Sequence, residues 1–435
     1  MAKKLISIDD SKTGEAALPE AVNAALRNTY GLKSDVDAKL SKTEAASTYA
    51  TPKRVGALDV TNLAGLRRWG AARGNVLAGP VTLTVPGDSI SWGVGSDGNA
   101  GETLPAVEAQ QNAYRSVGWV AQLRRILNAR YGIPSAQNWQ GIRPGWNTGA
   151  VINGAGVSGT SGPFGGMGAA SAGAVTLAVG NSVEFPVTSA LGPFTEIDIY
   201  YWGTDSGVVG AAAPRVSIDD VAQTTPTGAQ SGGLKRITVT GLADTTHKVV
   251  ISNDQSAYTV YLWAVNVRRA PNGFTVNRIA RPGATAVDIV GTYTGASKTR
   301  LLQSTIMPGI TDLLIVPLGT NDQGQQIALT EYRTRLQDMI DTQVGGGGCV
   351  LLLGEPPAAA PTGAITEQNY RDTMKSLAQD NTHVAFTDMR DLYGPHAEAF
   401  GMGLYPTSAT VHPSAKGAGV MANAVAELLL LPRYA

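Results

Sequence analysis

Cysteine is nearly absent: the 435-residue chain carries one, Cys349, together with only four histidines. A single cysteine closes no disulfide within one chain. So few ligand side chains, sharing no ligand spacing, give no basis for a metal centre. Cys349 opens the apolar run Cys349-Val350-Leu351-Leu352-Leu353 and reads as a small core residue. Charge is scarce too. Charged residues make up 16% of the chain and the formal net charge is zero, which excludes the polybasic face of a nucleic-acid binder. The pairs Arg67-Arg68, Arg124-Arg125 and Arg268-Arg269 are scattered and read as solvated positions. Long hydrophobic runs are missing as well. Leu428-Leu429-Leu430-Leu431 closes an amphipathic helix and cannot span a bilayer. After Met1-Ala2-Lys3-Lys4 the apolar run is too short for a signal peptide, so the expectation is a soluble protein made in a cytoplasm.

What is present is glycine, 52 residues of it, and short apolar runs between turn residues. Val81-Thr82-Leu83-Thr84-Val85 reads as a buried strand that stops at Pro86-Gly87 and presents Asp88 and Ser89 on the turn. A serine there lies where open α/β sheets bind ligands. A helix-capping serine fits that stretch equally. Strand-like runs recur at Phe274–Asn277, Leu313–Val316, Val350–Leu353 and Val384–Asp388. Helical patterns fall at about 285–304, 329–344, 367–380 and 415–430, and another begins near Val117. Alternating strands and helices imply a parallel sheet covered on both faces. With the Ser89 strand this predicts five parallel strands in a flavodoxin-like three-layer α/β sandwich.

Gly93-Val94-Gly95-Ser96-Asp97-Gly98 is a formal Gly-x-Gly-x-x-Gly, but Pro105 follows where a helix should run. A permissive loop beside the serine explains it better than a dinucleotide site. Gly345 to Gly348 lacks the Lys-Ser/Thr of a phosphate cradle and reads as a connector. No cofactor is expected.

Leu313-Leu314-Ile315-Val316-Pro317-Leu318-Gly319-Thr320-Asn321-Asp322 ends in Gly-x-Asn-Asp, and Val411-His412-Pro413-Ser414 precedes the last helix. Ser, Asn and His in these settings resemble the SGNH (GDSL-type) family of esterases and lipases. Gly87-Asp88-Ser89-Ile90 matches the first block of that family, Gly283 the second, Gly319-Thr320-Asn321-Asp322 the third and His412-Pro413 the last. The resemblance implies Ser89 as nucleophile and His412 as base. It implies an oxyanion hole of the Ser89 N–H, the Gly283 N–H and the Asn321 amide. The family usually carries Asp three residues before its histidine, and here that position is Ala409. Three readings stand: another group orients His412, the alanine is an engineered inactivating change, or the head is mainly a binder. Asp88 and Asp322 read as bonding loop backbone rather than a cation.

Residues 175–270 form several alternating runs with regular turns and resemble a carbohydrate-binding-like jelly roll inserted into the hydrolase. A spacer or trimer-packing module without a ligand fits the same pattern. Trp139 and Trp146, in a Gly-rich stretch, read either as sugar-stacking platforms or as ordinary packing. Ala16–Thr29 reads as a helix, and residues 33–56 lack the large apolar residues of a core. The latter fit one strip of a multi-chain bundle or a disordered linker. The N-terminal region resembles the start of bacteriophage tail-fibre and minor tail proteins.

The expected organisation is a tail-attachment segment (1–32), a stalk or linker (33–78), a first hydrolase segment (79–174), the β insert (175–270) and a second hydrolase segment (271–435). The expected partners are a host-surface polysaccharide or envelope ester and, through the N-terminus, other tail proteins. The expected state is a homotrimer on the virion, acting outside the host cell. The expected activity is hydrolysis of surface esters, O-acetyl groups of a polysaccharide foremost, through an acyl-Ser89 intermediate. The alternatives are a non-enzymatic receptor-binding tail protein on an inactive hydrolase fold, and a bacterial esterase with an N-terminal extension.

Overall fold

The computed structural model describes residues 58–96, 117–136, 140–141, 151–154, 175–189, 191–203, 211–228, 230, 233–254, 258–280, 282–290, 302, 306–359 and 363–431. The expected helix at Ala16–Thr29, the stalk-like residues 33–56, Trp139 and Trp146 lie outside them.

Five apolar runs form parallel strands: Pro80–Gly87, Gly273–Ala280, Leu313–Pro317, Cys349–Gly354 and Val384–Asp388. Across the sheet the order is Gly273–Ala280, Pro80–Gly87, Leu313–Pro317, Cys349–Gly354, Val384–Asp388. This is the flavodoxin-like order, whose reversal lies beside the first strand. At that reversal only Leu83 and Thr84 pair, with Leu313 and Leu314. Beyond them the two strands share no ladder. A two-residue strand, Val60–Thr61, adds antiparallel at the far edge.

The strands are apolar on both faces because both are covered. Leu314, Val316, Val350 and Leu352 pack toward helices Leu329–Gly345 and Glu367–Asp380. Their neighbours Leu313, Ile315, Cys349 and Leu351 pack toward helices Trp119–Arg130 and Ala415–Leu429. Cys349 is a buried core residue, as its run predicts.

The insert is a pair of five-stranded antiparallel sheets. In the inner sheet, Glu196–Trp202 lies between Leu234–Val239 and Val260–Arg268. Ile197, Ile199 and Tyr201 face the outer sheet through Val183, Phe185, Val249 and Ile251. Tyr200, Trp202 and Trp263 instead join the hydrolase core around Ile279 and Ala284. This double coverage explains why Glu196–Trp202 is buried at every residue rather than at alternate ones.

Three expectations change. Residues 58–78 belong to the hydrolase domain and not to a stalk: Leu66 and Trp69 are fully buried in its core. The Trp69 indole N–H donates to the Leu429 carbonyl at 2.9 Å. Strands Gln140–Gly141 and Val151–Asn153, upstream of residue 175, pair with the two insert sheets. Finally, two arginines read as solvated are buried. Arg268 is held by Glu196 and Asp198, and Arg124 lies in helix Trp119–Arg130 with 7% of its surface exposed.

Trp69→Ala is expected to destabilise this domain by about 3–5 kcal/mol through the cavity it leaves. Denaturant unfolding checks this. A loss near zero would return residues 58–78 to a linker.

Candidate active site

Asp88 follows the strand Pro80–Gly87 and caps the one-turn helix Ser89–Trp92, its Oδ1 accepting the Ile90 N–H at 2.8 Å. Ser89 is thereby the first residue of that turn, and its own N–H has no acceptor within the helix. His412 stands in the loop before helix Ala415–Leu429, whose first turn is capped by Ser414. The His412 Nε2 lies 2.8 Å from the Ser89 Oγ, and both residues are buried. This is the spacing at which acyl transfer needs a hydroxyl and a base to stand.

For Nε2 to accept the serine proton, the ring hydrogen must sit on Nδ1. Nδ1 faces the Thr410 Oγ1 at 3.5 Å, and the same hydroxyl accepts the His412 main-chain N–H at 3.0 Å. Ala409, where the family places its acid, is exposed. A threonine hydroxyl can align the ring but brings no charge to balance an imidazolium. Thr410 is itself fixed, because the His396 Nε2 donates to its carbonyl at 2.8 Å and the His396 ring packs 4.2 Å from that of Tyr405.

The glycine loop after Ser89 closes on His412. A Cβ built on Gly95 would stand 2.8 Å from the Cβ of His412, and Gly95 has φ +81°. Only glycine fits there.

Asn321 ties three of the predicted blocks together. Its Nδ2 donates to the Asp88 Oδ2 at 2.7 Å and to the Ala284 carbonyl at 3.2 Å. The side chain thus sits between the residue before Ser89 and the residue after Gly283. Gly283 has φ +77° and open space where a Cβ would be. Asp322 accepts the Ala286 N–H on Oδ1 at 2.9 Å, so both aspartates bond backbone N–H groups in the first turn of a short helix.

Sequence reasoning misses a third buried carboxyl in this region, Glu355. It follows the strand Cys349–Gly354, and its Oε2 accepts the Thr320 N–H at 3.1 Å. The other oxygen, Oε1, is buried without a hydrogen-bond partner. Burial first, and then the charge of Asp88, hold the Glu355 carboxyl well above the usual range. Burial raises Asp88 and Asp322 to about 7. Asp88 has donors on both oxygens and Glu355 on one, so Glu355 is the member of the pair that keeps the proton. The missed signal is positional: Glu355 is the first polar residue beyond an apolar strand, as Asp88 is beyond its own.

Residues 239–420 match the model of the GDSL-like lipase/acylhydrolase family. The match begins inside the insert and does not reach Ser89, which the fold brings back beside it. No curated protein matches the chain. Among solved structures, a peptidoglycan O-acetylesterase is 15% identical with a TM-score of 0.56, covering 85% of this chain and 97% of its own. A salicylyl-acyltransferase from a tetracycline biosynthetic pathway is 14% identical with a TM-score of 0.31, over 68% of this chain and 98% of its own. A family two carbohydrate esterase from Clostridium thermocellum is 13% identical with a TM-score of 0.26, over 58% of this chain and 93% of its own. The chain has the SGNH hydrolase fold with an added pair of antiparallel sheets. Residues 239–420 are thus similar to the GDSL-like lipase/acylhydrolase family.

Two outcomes follow from the geometry. Gly95→Ala should lower esterase turnover by displacing His412, read as a fall in kcat with the fold intact by circular dichroism. The raised carboxyls carry a stability signature. Their folded pKa values exceed the unfolded ones, so the native state binds more protons and stability falls as pH rises from about 4 toward 7. Glu355→Gln should flatten that fall. Equal pH profiles for the two proteins would contradict the assignment.

Proposed function

We propose that this protein is a carboxylic ester hydrolase with Ser89 as nucleophile and His412 as general base. The observation that carries the reading is the 2.8 Å contact between Ser89 Oγ and His412 Nε2, beyond the strand end at the reversal of strand order. Ser89 would attack the ester carbonyl while His412 takes its proton. The tetrahedral oxyanion would be met by the N–H groups of Ser89 and Gly283 and by the Asn321 amide. Of the two Asn321 bonds, the longer one, to Ala284, is the one an oxyanion would displace. The protonated His412 would then give its proton to the leaving alcohol. A water activated by His412 would release the acyl group from Ser89.

The proposed substrates are ester groups of a bacterial surface, with O-acetyl groups on a glycan first. The likeness to a peptidoglycan O-acetylesterase over 85% of this chain supports this choice. We propose further that the chain is the head of a phage tail fibre, joined to other tail proteins by residues 1–32 and trimerising through 33–56. The basis is the resemblance of that N-terminal sequence to tail proteins. In a trimer, three heads on one particle would add avidity for a surface glycan. The non-enzymatic alternative, a glycan-binding head, draws on one observation: His412 faces a neutral Thr410 while Ala409 is exposed.

Hydrolysis of p-nitrophenyl acetate separates the two. The protein should turn over, Ser89→Ala should abolish turnover, and Asn321→Ala should cost about 10²–10³ in kcat. Turnover only in Ala409→Asp would mean machinery lacking its orienting carboxylate. No turnover in any form would favour the binder. A particle of monomer mass in solution would contradict the trimer.

A further inference from the structure

We infer that Arg278 is a positioning residue for the Ser89–His412 pair, acting through Trp92 and the glycine loop that follows it. The inference rests on the esterase reading and adds a residue to that site. Arg278 lies on strand Gly273–Ala280, opposite Val85 in the parallel pairing, and is buried. Its Nη1 donates to the Trp92 carbonyl, and its guanidinium carbon stands 4.7 Å from the centroid of the Trp92 ring. Trp92 is buried as well. One side chain thus holds the last residue of the Ser89–Trp92 helix both by its main chain and by its ring.

That helix needs outside support. A single turn is not stable alone, and its last carbonyls have no further turn to satisfy them. Asp88 fixes the amino end through the Ile90 N–H. Arg278 fixes the carboxyl end, where a cation is the favoured partner. The negative face of the indole attracts the same cation. An ammonium in its place would donate to the carbonyl without lying flat on the ring.

Trp92 is also where the loop toward His412 begins. The chain turns at Gly93, with φ +102°, and two residues later Gly95 packs against the Cβ of His412. The place of Trp92 therefore bears on both sides of the 2.8 Å contact between Ser89 and His412. The helix carries the hydroxyl, and the loop backs the imidazole. Arg278 reaches Trp92 from the strand whose Ala280 pairs with Gly87, so the clamp and the serine turn are set by one strand pairing.

The test is p-nitrophenyl acetate hydrolysis by the full chain and by Arg278→Met, which keeps an apolar stem and removes the donors and the charge. The expected result is a fall in kcat of about 10-fold to 10²-fold, with KM changed by less than about twofold. Arg278→Lys should fall between Arg278→Met and the parent. Trp69→Ala is the structural control, since its ring packs on Phe274 at the other end of the same strand. It should lower Tm and leave the kcat of the folded protein unchanged. Arg278→Met combined with Gly95→Ala should lose less than the product of the two single losses, because both act by moving His412. Trp92→Leu, which removes the ring and keeps the carbonyl, should also lower kcat, so the idea stays testable if Arg278→Met does not fold. Parent kcat in both Arg278→Met and Trp92→Leu, or a double-variant loss equal to the product, would overturn this inference alone and leave Arg278 a packing residue. A parent that turns nothing over would overturn it together with the esterase reading.

Discussion

The arrangement rests on one parallel pairing, that of Pro80–Gly87 with Gly273–Ala280. The chain leaves the sheet after Gly87, builds the β insert, and returns to lie beside the strand it left. The register sets Gly87 against Ala280, so Ser89 and Gly283 follow from adjacent strand ends. A long excursion between paired strands is tolerable because loop-closure entropy grows only logarithmically with length. The insert also offsets that cost by burying Tyr200, Trp202 and Trp263 against the hydrolase core.

From this pairing the site follows in steps. The Leu313–Pro317 strand leaves the Ser89 strand after two paired residues, at the reversal of strand order. Asn321 then bridges Asp88 and Ala284, fixing the spacing between the serine turn and the glycine turn. His412 comes from the last loop, closed against Gly95 and braced through Thr410 by His396. Beneath it three buried carboxyls compete for protons, and Glu355 holds one.

Much of this was legible in the sequence because the informative residues were local. Apolar runs such as Leu313–Val316 and Val350–Leu353 can only be strands buried on two faces, and Ser89, Asn321 and His412 each follow a strand or precede the last helix. The piece from Val60 to Trp69 was not legible. A two-residue strand and a single 3₁₀ turn carry no periodicity, and Trp69 is anchored by Leu429, far away in the chain. Glu355 and Arg124 were hidden for a related reason. A carboxyl after a strand and an arginine in a helix look solvated until the packing that dries them is known. Thr410 escaped notice because the family pattern directs attention to Ala409, one residue earlier.

The measurement that tests the central claim most directly is covalent labelling with a fluorophosphonate probe, mapped by mass spectrometry. The account predicts one label per chain, on Ser89, lost in His412→Ala because the hydroxyl then has no base. Labelling at another residue, or none at Ser89 in a folded protein, would contradict the assignment of Ser89 as an activated nucleophile.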